Sequence, residues 1–141
     1  MARADIPTID AASEPYWTAA GEGRLLIARC ATCERVHHYP RPFCPHCWSD
    51  DVSPVPAAGT GTLYTYSTVY VNDLAPFKER LPYVAALVEL DEGPRLMTTM
   101  EGVEPGDLRI GMPVTAVFRQ IDENDVDSPY LTVFTPSEEK S

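Results

Sequence analysis

Ala28-Arg29-Cys30-Ala31-Thr32-Cys33-Glu34-Arg35-Val36-His37-His38-Tyr39-Pro40-Arg41-Pro42-Phe43-Cys44-Pro45-His46-Cys47 is the stretch from which the rest of this 141-residue chain is read. It holds two C-x-x-C pairs separated by ten residues, and these four are the only cysteines present. Paired spacing that uses every cysteine predicts a zinc site with ligands Cys30, Cys33, Cys44 and Cys47. Zn–S bonds of about 2.3 Å set neighbouring sulfurs roughly 3.8 Å apart, a separation that a two-residue turn delivers. Each pair forms a knuckle and one structural ion closes the two. The competing use of such cysteines is a redox pair or a disulfide. A redox C-x-x-C is usually single and sits at a strand-to-helix junction, and a reducing compartment disfavours structural disulfides.

Upstream of the knuckles, Arg24-Leu25-Leu26-Ile27-Ala28-Arg29 reads as a strand. Between them, Val36 to Phe43 carries two prolines that keep the crossing extended, which completes a zinc ribbon in outline. His37, His38 and His46 are read as surface or packing residues, because four thiolates already close a tetrahedral site. His46 has the alternative of donating a hydrogen bond to a sulfur. Ser13-Glu14-Pro15-Tyr16-Trp17-Thr18-Ala19-Ala20-Gly21 supplies an N-cap candidate, a proline in the first turn and a glycine stop, predicting a short helix. Tyr16 and Trp17 are too large to leave in water on so short a helix, so they pack within the chain or on a partner.

Downstream, Ser53 to Gly61 is punctuated by proline and glycine and reads as a linker. Thr62 to Val71 then alternates as a strand, with Tyr64, Tyr66 and Tyr70 on one face and Leu63, Val69 and Val71 on the other. Strands follow over 83–90, 95–100, 113–119 and 130–134, with a helical turn at 104–108 ended by Gly111. Five strands with a short helical element between the third and fourth match an OB-fold barrel. The acidic run 122–127 reads as a solvated loop, since it lacks the central glycine and terminal glutamate of a calcium-binding loop. The fold class is therefore mainly β: an N-terminal helical segment over 1–23, a zinc ribbon over 24–58, a five-stranded OB-fold barrel over 59–136 and a tail over 137–141.

A hydrophobic content of 44% with 23% charged residues belongs to a globular chain. No apolar run of signal-peptide or membrane-span length occurs, so the expected location is the cytoplasm, without a membrane partner. The net charge of −10 is divided as −2 over residues 1–58 and −8 over residues 59–141. The barrel half therefore repels a phosphate backbone. Binding of single-stranded nucleic acid, with the three tyrosines stacking bases, is the alternative that this charge disfavours.

The order of these pieces resembles a known family. Tyr16-Trp17, Gly23-Arg24-Leu25, Cys30-x-x-Cys33, Tyr39-Pro40-Arg41-Pro42-x-Cys44-Pro45-x-Cys47, Gly61-x-Leu63-Tyr64-x-Tyr66-Ser67, Pro82-Tyr83-Val84-Ala85 and Ile110-Gly111-Met112-Pro113-Val114 resemble the rubredoxin-like zinc ribbon plus OB-fold family of acyl-CoA-associated accessory proteins, catalogued as domain of unknown function 35. Family knuckles often place glycine after the second cysteine of each pair; Glu34 and Trp48 stand there in this chain. The resemblance implies a non-catalytic accessory subunit that stabilises a thiolase-like enzyme or a lipid-transfer-protein-like thiolase or retro-aldolase, in a hetero-oligomer, with an acyl-CoA hydratase as the alternative partner. It also implies that the small subunit helps border a shared CoA or acyl site. The residues agree on one point: cysteines committed to zinc leave no thiol for a thiolase-type nucleophile. Candidate partner contacts are the aromatics Tyr16, Trp17, Phe43 and Trp48, together with the proline-rich ribbon, which offers a rigid surface at low entropic cost. Candidate CoA or acyl contacts are Phe77, Lys78 and Arg80 in the loop between the first two barrel strands, whose other reading is a solvated loop.

Overall fold

The computed structural model describes residues 7, 9–11, 13–38, 41–71, 73, 80–122 and 124–137. It opens with helix α1 (Glu14–Gly21). Ser13 occupies the cap position, but its hydroxyl makes no capping bond to the helix. The reciprocal bonds lie one turn earlier: the Ser13 amide donates to the Asp10 carboxylate at 2.9 Å and the Asp10 amide donates to the Ser13 hydroxyl at 3.1 Å. This is capping-box chemistry with Asp10 in the leading role. Ala19 and Ala20 are buried, and their small size lets the helix lie close on β1 (Leu26–Cys30) and β8 (Tyr130–Pro136).

The ribbon is a three-stranded antiparallel sheet in the order β2 (Val36–His37), β1, β3 (Val52–Pro56). The stretch read from sequence as a linker thus contains a strand. Its prolines are compatible with that because of register. Ala57 donates to the Leu25 carbonyl and Ala31 to the Asp51 carbonyl, so the odd-numbered residues of β3 bond to β1 and the even-numbered ones face outward. Pro54 and Pro56 fall on the outward positions, where a missing N–H costs no bond and denies the free edge two donors.

The second unit is a closed barrel with strand order β4 (Thr60–Val69), β5 (Tyr83–Leu90), β6 (Arg95–Met100), β8, β7 (Pro113–Gln120), and a 3-10 turn at Pro105–Asp107 between β6 and β7. β4 pairs with β7 to close the ring. The interior is filled by Leu63, Val88, Leu90, Val114 and Phe134, with Leu25 and Ile27 of the ribbon side joining the same core. The barrel is the OB arrangement expected from the strand pattern.

One expectation on β4 is corrected. A bulge between Leu63 and Thr65 inserts an extra residue, so the alternation changes phase. Tyr64 and Tyr70 are exposed, whereas Tyr66 turns inward against the core and its hydroxyl donates to the Leu108 carbonyl at 3.4 Å. On the β7 side, Leu63 keeps both backbone bonds, donating to Met112 and accepting from Gly111. The three tyrosines therefore do not form one stacking face.

Candidate metal centre

The site is built from two turns of the same construction. Cys30 N–H donates to the Arg35 carbonyl and the Cys30 carbonyl accepts from Glu34; Cys44 N–H donates to the Ser49 carbonyl and the Cys44 carbonyl accepts from Trp48. This closure needs left-handed backbone after the second cysteine. Glu34 (φ 64°) and Trp48 (φ 67°) adopt it without being glycine. Thr32 and Ser49 then join the turns through a hydroxyl–hydroxyl bond of 2.8 Å, a link that nothing in the sequence announces.

The four sulfurs converge. Cys30 and Cys47 Sγ lie 3.6 Å apart, as do Cys33 and Cys44 Sγ, and all four fall within 4.8 Å of one another. The edge of a zinc tetrathiolate is roughly 3.8 Å, so the cage fits one such ion. Its electrostatics point the same way. Cys30 is lowered to about 6, chiefly by the Cys33 amide. Cys44 is lowered as well, its burial outweighed by the amides of Cys47 and His46. Cys47 receives the Ser49 amide, yet desolvation and the three neighbouring thiols push it up to about 12. Four thiols in one cage cannot all ionise without a cation, and a divalent ion removes that conflict. The chemistry zinc supplies in such a closed tetrathiolate is cross-linking of the fold, since no ligand position is left open.

The histidines stand outside the cage. His37 and His38 are buried packing residues, and His38 lies edge-on to Tyr16 with ring centroids 5.7 Å apart. His46 reaches a sulfur through its backbone, the amide donating to Cys44 Sγ at 3.3 Å. Of the aromatic candidates, Phe43 and Trp48 stack beside the centre at 5.2 Å and 10°. Tyr16 is half-buried and donates to the Thr132 hydroxyl at 3.1 Å, with half-buried Trp17 edge-on to it. Phe77 and Lys78 lie outside the described residues; Arg80, half-buried, enters β5 from that loop.

A cleft of about 450 Å³ between α1 and the ribbon brings Ser53, His38 and Asp50 into one lining. Ser53 is exposed and its side chain makes no hydrogen bond among the described residues, so it is not paired with a base in this arrangement.

Comparison with known proteins gives two adjoining family matches: a ChsH2 rubredoxin-like zinc ribbon domain over residues 17–53 and a ChsH2 C-terminal OB-fold domain over residues 54–119. A probable enoyl-CoA hydratase alpha subunit of Thermomonospora curvata is 41% identical over 133 residues, which is 94% of this chain and 41% of that protein. The chain therefore spans less than half the length of that relative. A DUF35 domain-containing scaffold protein of Methanocaldococcus jannaschii is 40% identical over 106 residues, 73% of each chain. Among solved structures, a chain of one described as an Ltp2-ChsH2(DUF35) aldolase superposes with a TM-score of 0.78 at 42% identity, covering 92% of this chain and 98% of that one.

Proposed function

This chain belongs to the DUF35 family of zinc-ribbon and OB-fold proteins, and on that premise we propose that it is a non-catalytic subunit of an acyl-CoA enzyme assembly whose large partner is a thiolase-like aldolase. The observation that carries this reading is the 42% identity along 98% of a chain from an aldolase structure with Ltp2 and ChsH2(DUF35) in its description. The site chemistry supports it. All four cysteines meet in one metal cage, which leaves no free thiol as a nucleophile. The subunit stabilises its partner and borders its acyl-CoA entrance, with the loop that ends at Arg80 as the segment to probe.

Co-expression with a thiolase-like acyl-CoA enzyme of the same host tests the proposal. The expected result is co-elution and a raised melting temperature of the partner. Separate elution with unchanged partner stability and activity overturns it.

A hydratase partner is the second reading, favoured by the 41% identity to a probable enoyl-CoA hydratase alpha subunit. Parallel co-expression with a hydratase subunit decides between the two. Nucleic-acid binding is disfavoured by the barrel half's −8 charge and by the separation of Tyr64 from Tyr66 at the bulge.

A further inference from the structure

The two knuckles share one backbone design but display different chemistry at the equivalent position. Glu34 and Trp48 both take left-handed backbone, and both donate to the carbonyl of the first cysteine at 2.9 Å. Glu34 extends into water with Arg29 3.5 Å away. The turn therefore accepts a flexible polar side chain and has no need of an indole.

Trp48 is nevertheless 75% exposed, and the ring stacked on it within the chain is Phe43. A bulky residue in left-handed backbone is strained, and an indole left in water forgoes the burial that offsets strain elsewhere. Among the described residues, the ring that covers Trp48 is Phe43 alone, and most of the indole stays in water.

The surroundings have a sign. In a chain of net charge −10, residues 35–49 contain two arginines and no carboxylate. Arg35 and Arg41 are exposed and form no ion pair among the described residues. Arg35 lines a cleft together with Pro45 and His46 of the second knuckle, with Glu34, Glu92 and Arg95 also in that lining, and Arg41, which shares a second cleft with Asp50, is close enough to His37 to lower its pKa. Asp50 and Asp51, both exposed, end this cationic stretch on its C-terminal side.

We propose that the second knuckle, Phe43 and Trp48 flanked by Arg35 and Arg41, is the anchor by which the chain docks into an apolar socket rimmed by carboxylates on its acyl-CoA enzyme partner. The inference rests on the accessory-subunit reading and specifies its contact. A stacked Trp–Phe pair supplies the buried area of a binding hot spot, and the arginines supply the rim that steers it.

The test uses the full chain, loaded with zinc, and the catalytic subunit purified from the co-expressed complex. With the chain labelled by 5-fluorotryptophan, fluorine NMR reads Trp17 and Trp48 separately without interference from tryptophans of the partner. The Trp48 resonance should shift and broaden on complex formation. Trp48→Ala, and Trp48→Gly in which backbone strain is absent, should each weaken binding at least about ten-fold while keeping one zinc per chain. Glu34→Ala, the same position in the first knuckle, should leave affinity unchanged, and Arg41→Glu should slow association and reduce its salt dependence.

An unmoved Trp48 resonance in the complex overturns the anchor and leaves the accessory-subunit reading standing. So does equal affinity of the Trp48 variants, or an equal loss with Glu34→Ala. A wild-type chain that binds neither a thiolase-like enzyme nor a hydratase subunit removes the accessory-subunit reading, and the anchor with it.

Discussion

Glu34 and Trp48 hold left-handed backbone that an L side chain pays for, about 1–2 kcal/mol each by the usual crowding of Cβ against the following carbonyl. A β-branched side chain raises that cost. Glu34→Val should therefore destabilise the zinc-loaded chain by about 1–3 kcal/mol, while Glu34→Gly should be near neutral because relief of strain offsets the freer unfolded chain. Urea midpoints of the two variants check this. His38 sits at the same scale. Burial holds its pKa at about 4, with His37 beside it adding to the effect, and His37 is itself lowered by burial, then by His46 and Arg41. Below about 6.5 the unfolded chain takes up these protons and the folded chain does not. Stability is thus complete above pH 6.5 and is lost as the pH falls toward 4, by roughly 3 kcal/mol for His38 alone. His38→Phe keeps a ring against Tyr16 and should flatten that part of the pH–stability curve, measured with zinc present throughout.

Among the elements, α1 matters more than its length suggests, because Tyr16 touches both other parts of the molecule: His38 of the ribbon and Thr132 of β8. Tyr16→Phe should cost about 1 kcal/mol, since it removes the bond to Thr132, a threonine that is only 4% exposed. Equal thermal stability of variant and wild type would contradict that role. In β4 the critical position is Gly61. A Cβ there would press on the Glu89 carbonyl and stand 3.1 Å from Leu90 Cα, both backbone of the neighbouring strand. Gly61→Ala should lower stability by about 1–3 kcal/mol through overpacking, with amide exchange fastest along the β4–β5 ladder. The bulge two residues further on explains why alternation in 62–71 was misleading. An inserted residue leaves no mark in a run where every candidate, Tyr64, Thr65 or Tyr66, is an equally good strand former.

For the whole molecule, the metal centre is the organising constraint. The ribbon sheet is small, and its two-residue β2 is held by the crossing between the knuckles. The wild-type chain should carry one zinc, and Cys44→Ser should carry none, with fast amide exchange over 26–56 and slower exchange retained in the barrel. Retained zinc at one per chain, or unchanged protection of the ribbon in the variant, would refute a structural role for the cage. The ligand set, the two-part order of ribbon and barrel and the five barrel strands were all legible in sequence. Each rests on local chemistry, namely cysteine spacing, turn residues and period-two alternation. What only the tertiary structure decided depends on which partner a residue meets. Pro54 and Pro56 belong to a strand because their missing amides face an open edge. Tyr66 packs against the core because a bulge shifts the alternation, Asp10 rather than Ser13 leads the helix cap, and Trp48 stays in water on a turn whose counterpart in the first knuckle carries a glutamate. Spacing along the chain fixes local geometry, but burial is set by what folds over a side chain, and that is a property of the assembled structure.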